Sequence, residues 1–163
     1  MNEFIRRRIA RTRELKAVGY WNHDGWRFSN SPPQALVTLT AGFPHPPRLV
    51  EALGAMTADT RVLRYLRSGH RRVTFLGFSY CRFGCADDVD GTSCVTDGTW
   101  VWPEGLIHYV EVHHVPLPRE FLATMKRNLW MVPPWASVLA ALKHWDTRFW
   151  VEWTARSLIT SKS

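Results

Sequence analysis

Thr96-Asp97-Gly98-Thr99-Trp100-Val101-Trp102-Pro103-Glu104-Gly105-Leu106-Ile107-His108-Tyr109-Val110 is the stretch that decides the fold class. Asp97-Gly98 signals a tight turn, because glycine takes left-handed backbone without steric cost. Behind it, Trp100, Val101 and Trp102 read as a strand with both indoles on one side and Val101 on the other. Pro103 then suits the first position of a helix, where its missing N–H costs nothing, and Glu104 complements the positive helix end. Leu106, Tyr109, Val110 and His113 continue at three- and four-residue spacing.

Upstream, residues 73–83 are β-branched and aromatic and predict a strand, with Gly77 marking a bulge or a close backbone approach. The strand ends in Cys81-Arg82-Phe83-Gly84-Cys85, and the acidic run 87–91 reads as a solvated turn. A helix is expected from Asp59 through Leu66, with Gly69 as its stop and Arg61, Arg64 and Arg67 on its outer face. Leu49, Val50, Leu53 and Met56 predict a helix before it. Residues 35–40 alternate like a strand, and residues 20–28 form a hairpin candidate around Asp24-Gly25. The N-terminal residues 2–16 read as a short basic helix with Asn2 as its cap.

Downstream, a helix is expected to begin near Pro118-Arg119-Glu120 and to bury Phe121, Leu122, Met125 and Leu129. Pro133-Pro134 breaks the chain, and residues 136–145 read as another helix. Residues 147–155 fit a strand or a continued helix equally well by periodicity. Helices interspersed with hairpins predict one α+β domain over 1–163, with helices packed on a small, mainly antiparallel sheet. No internal repeat argues for a solenoid or a propeller.

The formal net charge is +7, and Lys occurs only at positions 16, 126, 143 and 162, so the cationic side chains are mostly Arg. Guanidinium groups suit carboxylates, phosphates and aromatic faces, which makes an anionic partner the expectation. Nine Trp bring indole N–H groups that need acceptors when buried. Most read as core residues, but Trp is also a favoured anchor at binding surfaces. No apolar run is long enough to span a bilayer. The basic N-terminus lacks the apolar stretch of a secretory signal, and Glu3, Glu14 and the absence of Ser there argue against a mitochondrial one. An odd count of three Cys speaks against a disulfide framework, so a reducing, cytoplasmic setting is expected.

No nucleotide-binding glycine motif, serine-hydrolase elbow or zincin helix occurs, and the reading favours a binding protein over an enzyme. The acidic run places its glycine too early for a calcium loop and has no closing Glu. A thiol nucleophile at Cys81 or Cys85 would need a histidine brought near in space. For metal, Cys81, Cys85, Cys94 and His113, with His114 beside it, are the candidates. Against them stand a CxxxC spacing in place of CxxC, an isolated third Cys, and histidines a strand and a helix away. The alternative is three reduced, partly buried thiols, and no cofactor is assigned.

The quoted stretch, followed by His114-Val115-Pro116-Leu117-Pro118-Arg119-Glu120-Phe121-Leu122, resembles a pattern in small bacterial proteins without an assigned activity. These read as TDG-x-W-x-WP, then L-x-[HY]YV, then LP-x-EF, and some are similar to immunity proteins encoded beside polymorphic toxins. The likeness covers residues 78–122 and carries no catalytic residue over. It implies a non-enzymatic protein that occludes a toxin, with an acidic protein as the expected partner. The binding candidates are Arg6, Arg7, Arg11, Arg61, Arg64, Arg67, Trp100 and Trp102. The alternative is a nucleic-acid-associated basic protein or a subunit of a ribonucleoprotein or organellar assembly, gripping phosphates with Arg and stacking bases on aromatic rings.

Overall fold

The computed structural model describes residues 14–22, 40–74, 80–85, 91–139 and 144–160. The architecture is α+β. Six helices pack around a five-stranded sheet among the described residues, with strand order β2-β3-β4-β1-β5. In chain order the elements are β1 (Leu15–Ala17), α1 (Pro46–Leu53), α2 (Thr60–Arg67), β2 (His70–Thr74), β3 (Ser93–Thr96), β4 (Trp100–Pro103), α3 (Leu106–Glu111), α4 (Arg119–Arg127), α5 (Trp135–Leu139), β5 (Trp145–Asp146) and α6 (Arg148–Thr160).

The sheet is mixed rather than mainly antiparallel. β2–β3 and β3–β4 are antiparallel, but β1 lies between β4 and β5 and runs parallel to both. This insertion also corrects the expectation of a helix through residue 16. Leu15 and Ala17 are fully buried while Lys16 between them is exposed, the alternation of a strand rather than a helix. The rest of the basic segment, with Arg6, Arg7 and Arg11, lies outside the described residues, as do hairpin residues 23–28, residues 35–39, Gly77 and residues 87–90.

The Asp97-Gly98 turn forms as expected. Gly98 takes φ 87°, and the buried Asp97 carboxylate accepts hydrogen bonds from the N–H groups of Thr99 (2.8 Å) and Trp100 (2.7 Å) and from the Tyr65 hydroxyl (2.7 Å). Burial pushes this carboxyl above its usual range, and the three donors pull against that shift. Pro103, expected to open a helix, instead ends β4, because the Glu104 N–H donates to the Ser93 carbonyl at 2.9 Å and keeps the chain on the ladder. The Ser93 N–H donates back to the Glu104 carboxylate at 3.1 Å. Helix α3 therefore starts only at Leu106.

Helix α2 starts where Asp59 caps it, its carboxylate accepting from the Arg61 N–H at 2.8 Å, and α4 follows Pro118. Two further expectations are corrected by tertiary pairing. Strand β2 covers His70–Thr74, and residues 81–85 form a turn rather than a strand end. Within 136–145, helix α5 covers Trp135–Leu139, residues 140–143 lie outside the described residues, and Trp145–Asp146 is drawn into β5 as the Leu15 N–H donates to the His144 carbonyl at 2.8 Å. The ambiguous segment after residue 147 is helical, with Trp150 and Thr154, four residues apart, buried together.

The main core lies on the Trp100 and Trp102 face of the sheet. Both indoles are almost fully buried, beside Phe121, Tyr65 and Phe149. Their N–H groups are satisfied: Trp100 donates to the Thr124 hydroxyl at 3.0 Å and Trp102 to the Leu66 carbonyl at 3.2 Å. Val101, Leu15, Ala17 and Cys94 form a smaller cluster on the opposite face.

Candidate metal centre

Two short pieces of chain meet beside the main core. The first is the Cys81–Cys85 turn. The Gly84 N–H donates to the Cys81 carbonyl at 3.2 Å, and Gly84 takes φ 85°, a conformation that side-chain-bearing residues adopt at a cost of about 1–2 kcal/mol. Folded this way, the turn directs the Phe83 N–H at the Cys81 sulfur, 3.4 Å away. The Arg82 N–H donates to the Tyr109 hydroxyl at 3.0 Å, which fixes the turn against α3.

The second piece is the end of α3. His108 lies within the helix and His113 just beyond it. In a regular helix, residues five apart point about 140° away from each other, so these rings would not meet. The helix ends between them, at Glu111. His114 takes φ 55°, and the Val115 N–H donates back to the Tyr109 carbonyl at 3.0 Å, wrapping the chain around the helix end. His113, ahead of this wrap, reaches back to His108, with Nε2 atoms 3.1 Å apart. Phe83 stacks flat on the His113 ring, 3.9 Å between centroids and 3° between planes, which holds its orientation.

Four ligand-type atoms thus converge: the sulfurs of Cys81 and Cys85 and one ring nitrogen each of His108 and His113, all within 4.8 Å of one another. His113 Nε2 lies 3.1 Å from Cys81 Sγ, 3.3 Å from Cys85 Sγ and 3.1 Å from His108 Nε2. A ring nitrogen carries one hydrogen or one lone pair, so it cannot satisfy three such neighbours by hydrogen bonding. An ion can. With Zn–S about 2.3 Å and Zn–N about 2.0–2.1 Å, a tetrahedron has S···N edges of roughly 3.6 Å and an N···N edge of roughly 3.3 Å, a few tenths of an ångström from the three separations at His113 Nε2.

The ligand types fit as well. Two thiolates and two imidazoles are a zinc set, and Cys-x3-Cys with His-x4-His lies inside the spacing range of structural zinc sites. Four protein ligands close the tetrahedron, so the metal would be held without an open position for substrate. Cys81 is buried and the other three ligands are half-buried. The cluster also puts His113 against Cys81 and Cys85, the proximity a thiol nucleophile would have required.

Of the sequence candidates, Cys81, Cys85 and His113 meet and Cys94 does not. Cys94 is on β3, across the sheet, where its sulfur lies 3.1 Å from the Tyr20 hydroxyl. Burial pushes the Cys94 thiol above its ordinary value. His108, absent from the candidates, completes the set; its signal was the His-x4-His spacing. Trp100 and Trp102 are withdrawn as binding residues by their burial in the core. Arg61, Arg64 and Arg67 are exposed on α2 as expected, with Arg61 paired to Asp59 and Arg67 to Glu111. None of these arginines belongs to the metal cluster.

No protein-family model, curated protein or solved structure matches the chain. No helix among the described residues is long and apolar enough to cross a membrane.

Proposed function

We propose that this chain is a non-enzymatic, zinc-stapled binding protein. Cys81, Cys85, His108 and His113 hold one Zn2+ as a structural centre, and the protein works by occupying a protein partner, as an immunity-type protein does. The observation that carries the zinc reading is the convergence of four ligand atoms within 4.8 Å on a single point between two unrelated pieces of chain. A closed Cys2His2 set favours a structural over a catalytic role, because catalytic zinc keeps a position for water or substrate. The binding role rests on the same closure, on the exposed arginines of α2 and on the resemblance of residues 78–122 to small bacterial proteins, some of them similar to immunity proteins.

The experiment is metal analysis of the purified protein, followed by Co2+ exchange after removal of the native metal. One zinc per chain is expected, and the cobalt form should show ligand-field bands of a tetrahedral S2N2 site with thiolate-to-metal charge transfer. Cys81→Ser should abolish both, whereas Cys94→Ser should leave both intact. Protein that folds and melts identically without metal, and takes up no Co2+, would rule the centre out.

A further inference from the structure

The turn after α4, Asn128-Leu129-Trp130-Met131-Val132-Pro133-Pro134-Trp135, combines backbone strain with exposed apolar side chains. Leu129 and Trp130 take φ 54° and 61°, both left-handed. The Leu129 N–H donates to the Lys126 carbonyl at 3.0 Å and the Trp130 N–H to the Met125 carbonyl at 2.8 Å, the wrap by which a helix stops and for which glycine is the favoured residue. Leucine stands there instead and gains nothing in return, since it is 74% exposed; Met131 is 63% exposed. Neither folding nor the helix stop explains these two side chains. Strained, solvent-facing positions of this kind gather at binding sites.

The turn is also backed by the body of the protein. Trp130, between the two exposed residues, packs against the core and carries the Arg61 guanidinium 4.7 Å over its ring. His70 reaches the Pro133 carbonyl at 2.7 Å and lies 5.2 Å from the Trp135 ring, which is 39% exposed. Leu129 and Met131 are therefore presented on a backed surface, which lowers the ordering cost of binding. The charge around them is positive: Lys126 and Arg127 in the last turn of α4, and Arg61 and Arg64 on α2, are all exposed, with Asp59 as the counter-charge beside Arg61.

We infer that this turn is a docking surface for an acidic protein, whose apolar side chain packs over Leu129 and Met131 while its carboxylates meet Arg64, Lys126 and Arg127. The inference rests on the binding reading above and names its surface and partner chemistry. Charge complementarity selects an anionic partner. The most exposed side chains, Leu129 and Met131, favour protein over nucleic acid, because aliphatic groups offer no face for base stacking and the Trp130 ring is half-buried beneath Arg61.

The test is selection of a displayed random-peptide library on the zinc-loaded, full-length protein, with affinities then measured by fluorescence anisotropy. Peptides carrying an apolar residue among Asp and Glu should be enriched. Leu129→Gly should raise the melting temperature, because glycine fits the left-handed backbone, yet weaken those peptides about tenfold. Met131→Ser should weaken them similarly without changing the melt. Enriched peptides that bind both variants unchanged would place the contact elsewhere and leave the binding reading standing, and enrichment with no acidic bias would defeat the partner assignment. No enrichment at all would overturn both. A single-stranded oligonucleotide that binds tightly, and binds both variants equally, would assign the cationic patch to phosphate instead. The metal content of each sample separates all of these outcomes from failure of the zinc centre.

Discussion

Cys81 and Cys94 are both buried thiols of one small protein, and they live in opposite chemistry. Around Cys81 are a second sulfur, two imidazole nitrogens and a backbone N–H aimed at the sulfur. Around Cys94 are Leu15, Ala17 and Val101, with a single hydroxyl from Tyr20. The first neighbourhood gathers donors for a cation. The second is a patch of sheet core that happens to contain sulfur. Burial does not separate them, since Cys81 is 3% and Cys94 2% exposed. The number and type of converging atoms does.

The largest test of that contrast is removal of metal. Zinc held a thousandfold above its dissociation constant adds about 4 kcal/mol to the folded state. For a chain of this size a chelator should then lower the melting temperature by about 8–16 °C. His108→Ala should melt at the lower temperature whether or not chelator is added. If it keeps the chelator response, His108 is not a ligand and the tetrahedron is wrong.

Cys94→Ala should cost less, about 1–3 kcal/mol, by leaving the Tyr20 hydroxyl without its sulfur partner. Zinc stoichiometry should not change, and any loss of metal in this variant would dissolve the distinction between the two sites. Alkylation timed by mass spectrometry sharpens it further. All three thiols should resist modification in the metal-loaded protein, and chelator should expose two of them while Cys94 stays slow.

The smallest effect is in alkaline solution. Burial raises both the Cys94 thiol and the Tyr20 phenol above their ordinary values of 9.0 and 10.0. The folded chain then keeps protons that the unfolded chain gives up, so their contribution is whole below about pH 9 and declines as pH climbs through the raised values. Each group adds at most about 1.4 kcal/mol per pH unit to that decline. Cys94→Ala should flatten the slope between pH 9 and 10; an unchanged slope would mean that the thiol is not held neutral by the fold.

Local signals were legible in the sequence wherever local physics decides. The Asp97-Gly98 turn, the helix from Asp59 and the helix after Pro118 depend on residues within a few positions of each other. Pro103 misled because a distant contact, Glu104 on Ser93, outweighed its preference for a helix start. Strand β1 was hidden by its shortness and by the Arg-rich segment before it, and the alternation of Phe149, Val151 and Trp153 masked a helix whose buried pair is Trp150 and Thr154. The metal cluster was half legible. Cys-x3-Cys is visible in one dimension, but nothing in the sequence brings His108 and His113 to the two sulfurs, which meet only in the fold. Of the proposed docking surface only the arginines of α2 were legible: the paired indoles that suggested an anchor are core, while the strained Leu129 lies in a position that periodicity assigned to the interior.

The placement of β1 also sets a clock. It precedes both of its neighbours in the chain, pairing with Trp100 and Val101 on one side and with Trp145 and Asp146 on the other. At about 5–20 residues per second on the ribosome, this three-residue piece emerges roughly ten seconds before its second partner has been made. The metal-bearing turn and α3 are complete well before then. A nascent chain that binds zinc as proposed would fix the turn to the helix while β1 still waits for the edge strand β5.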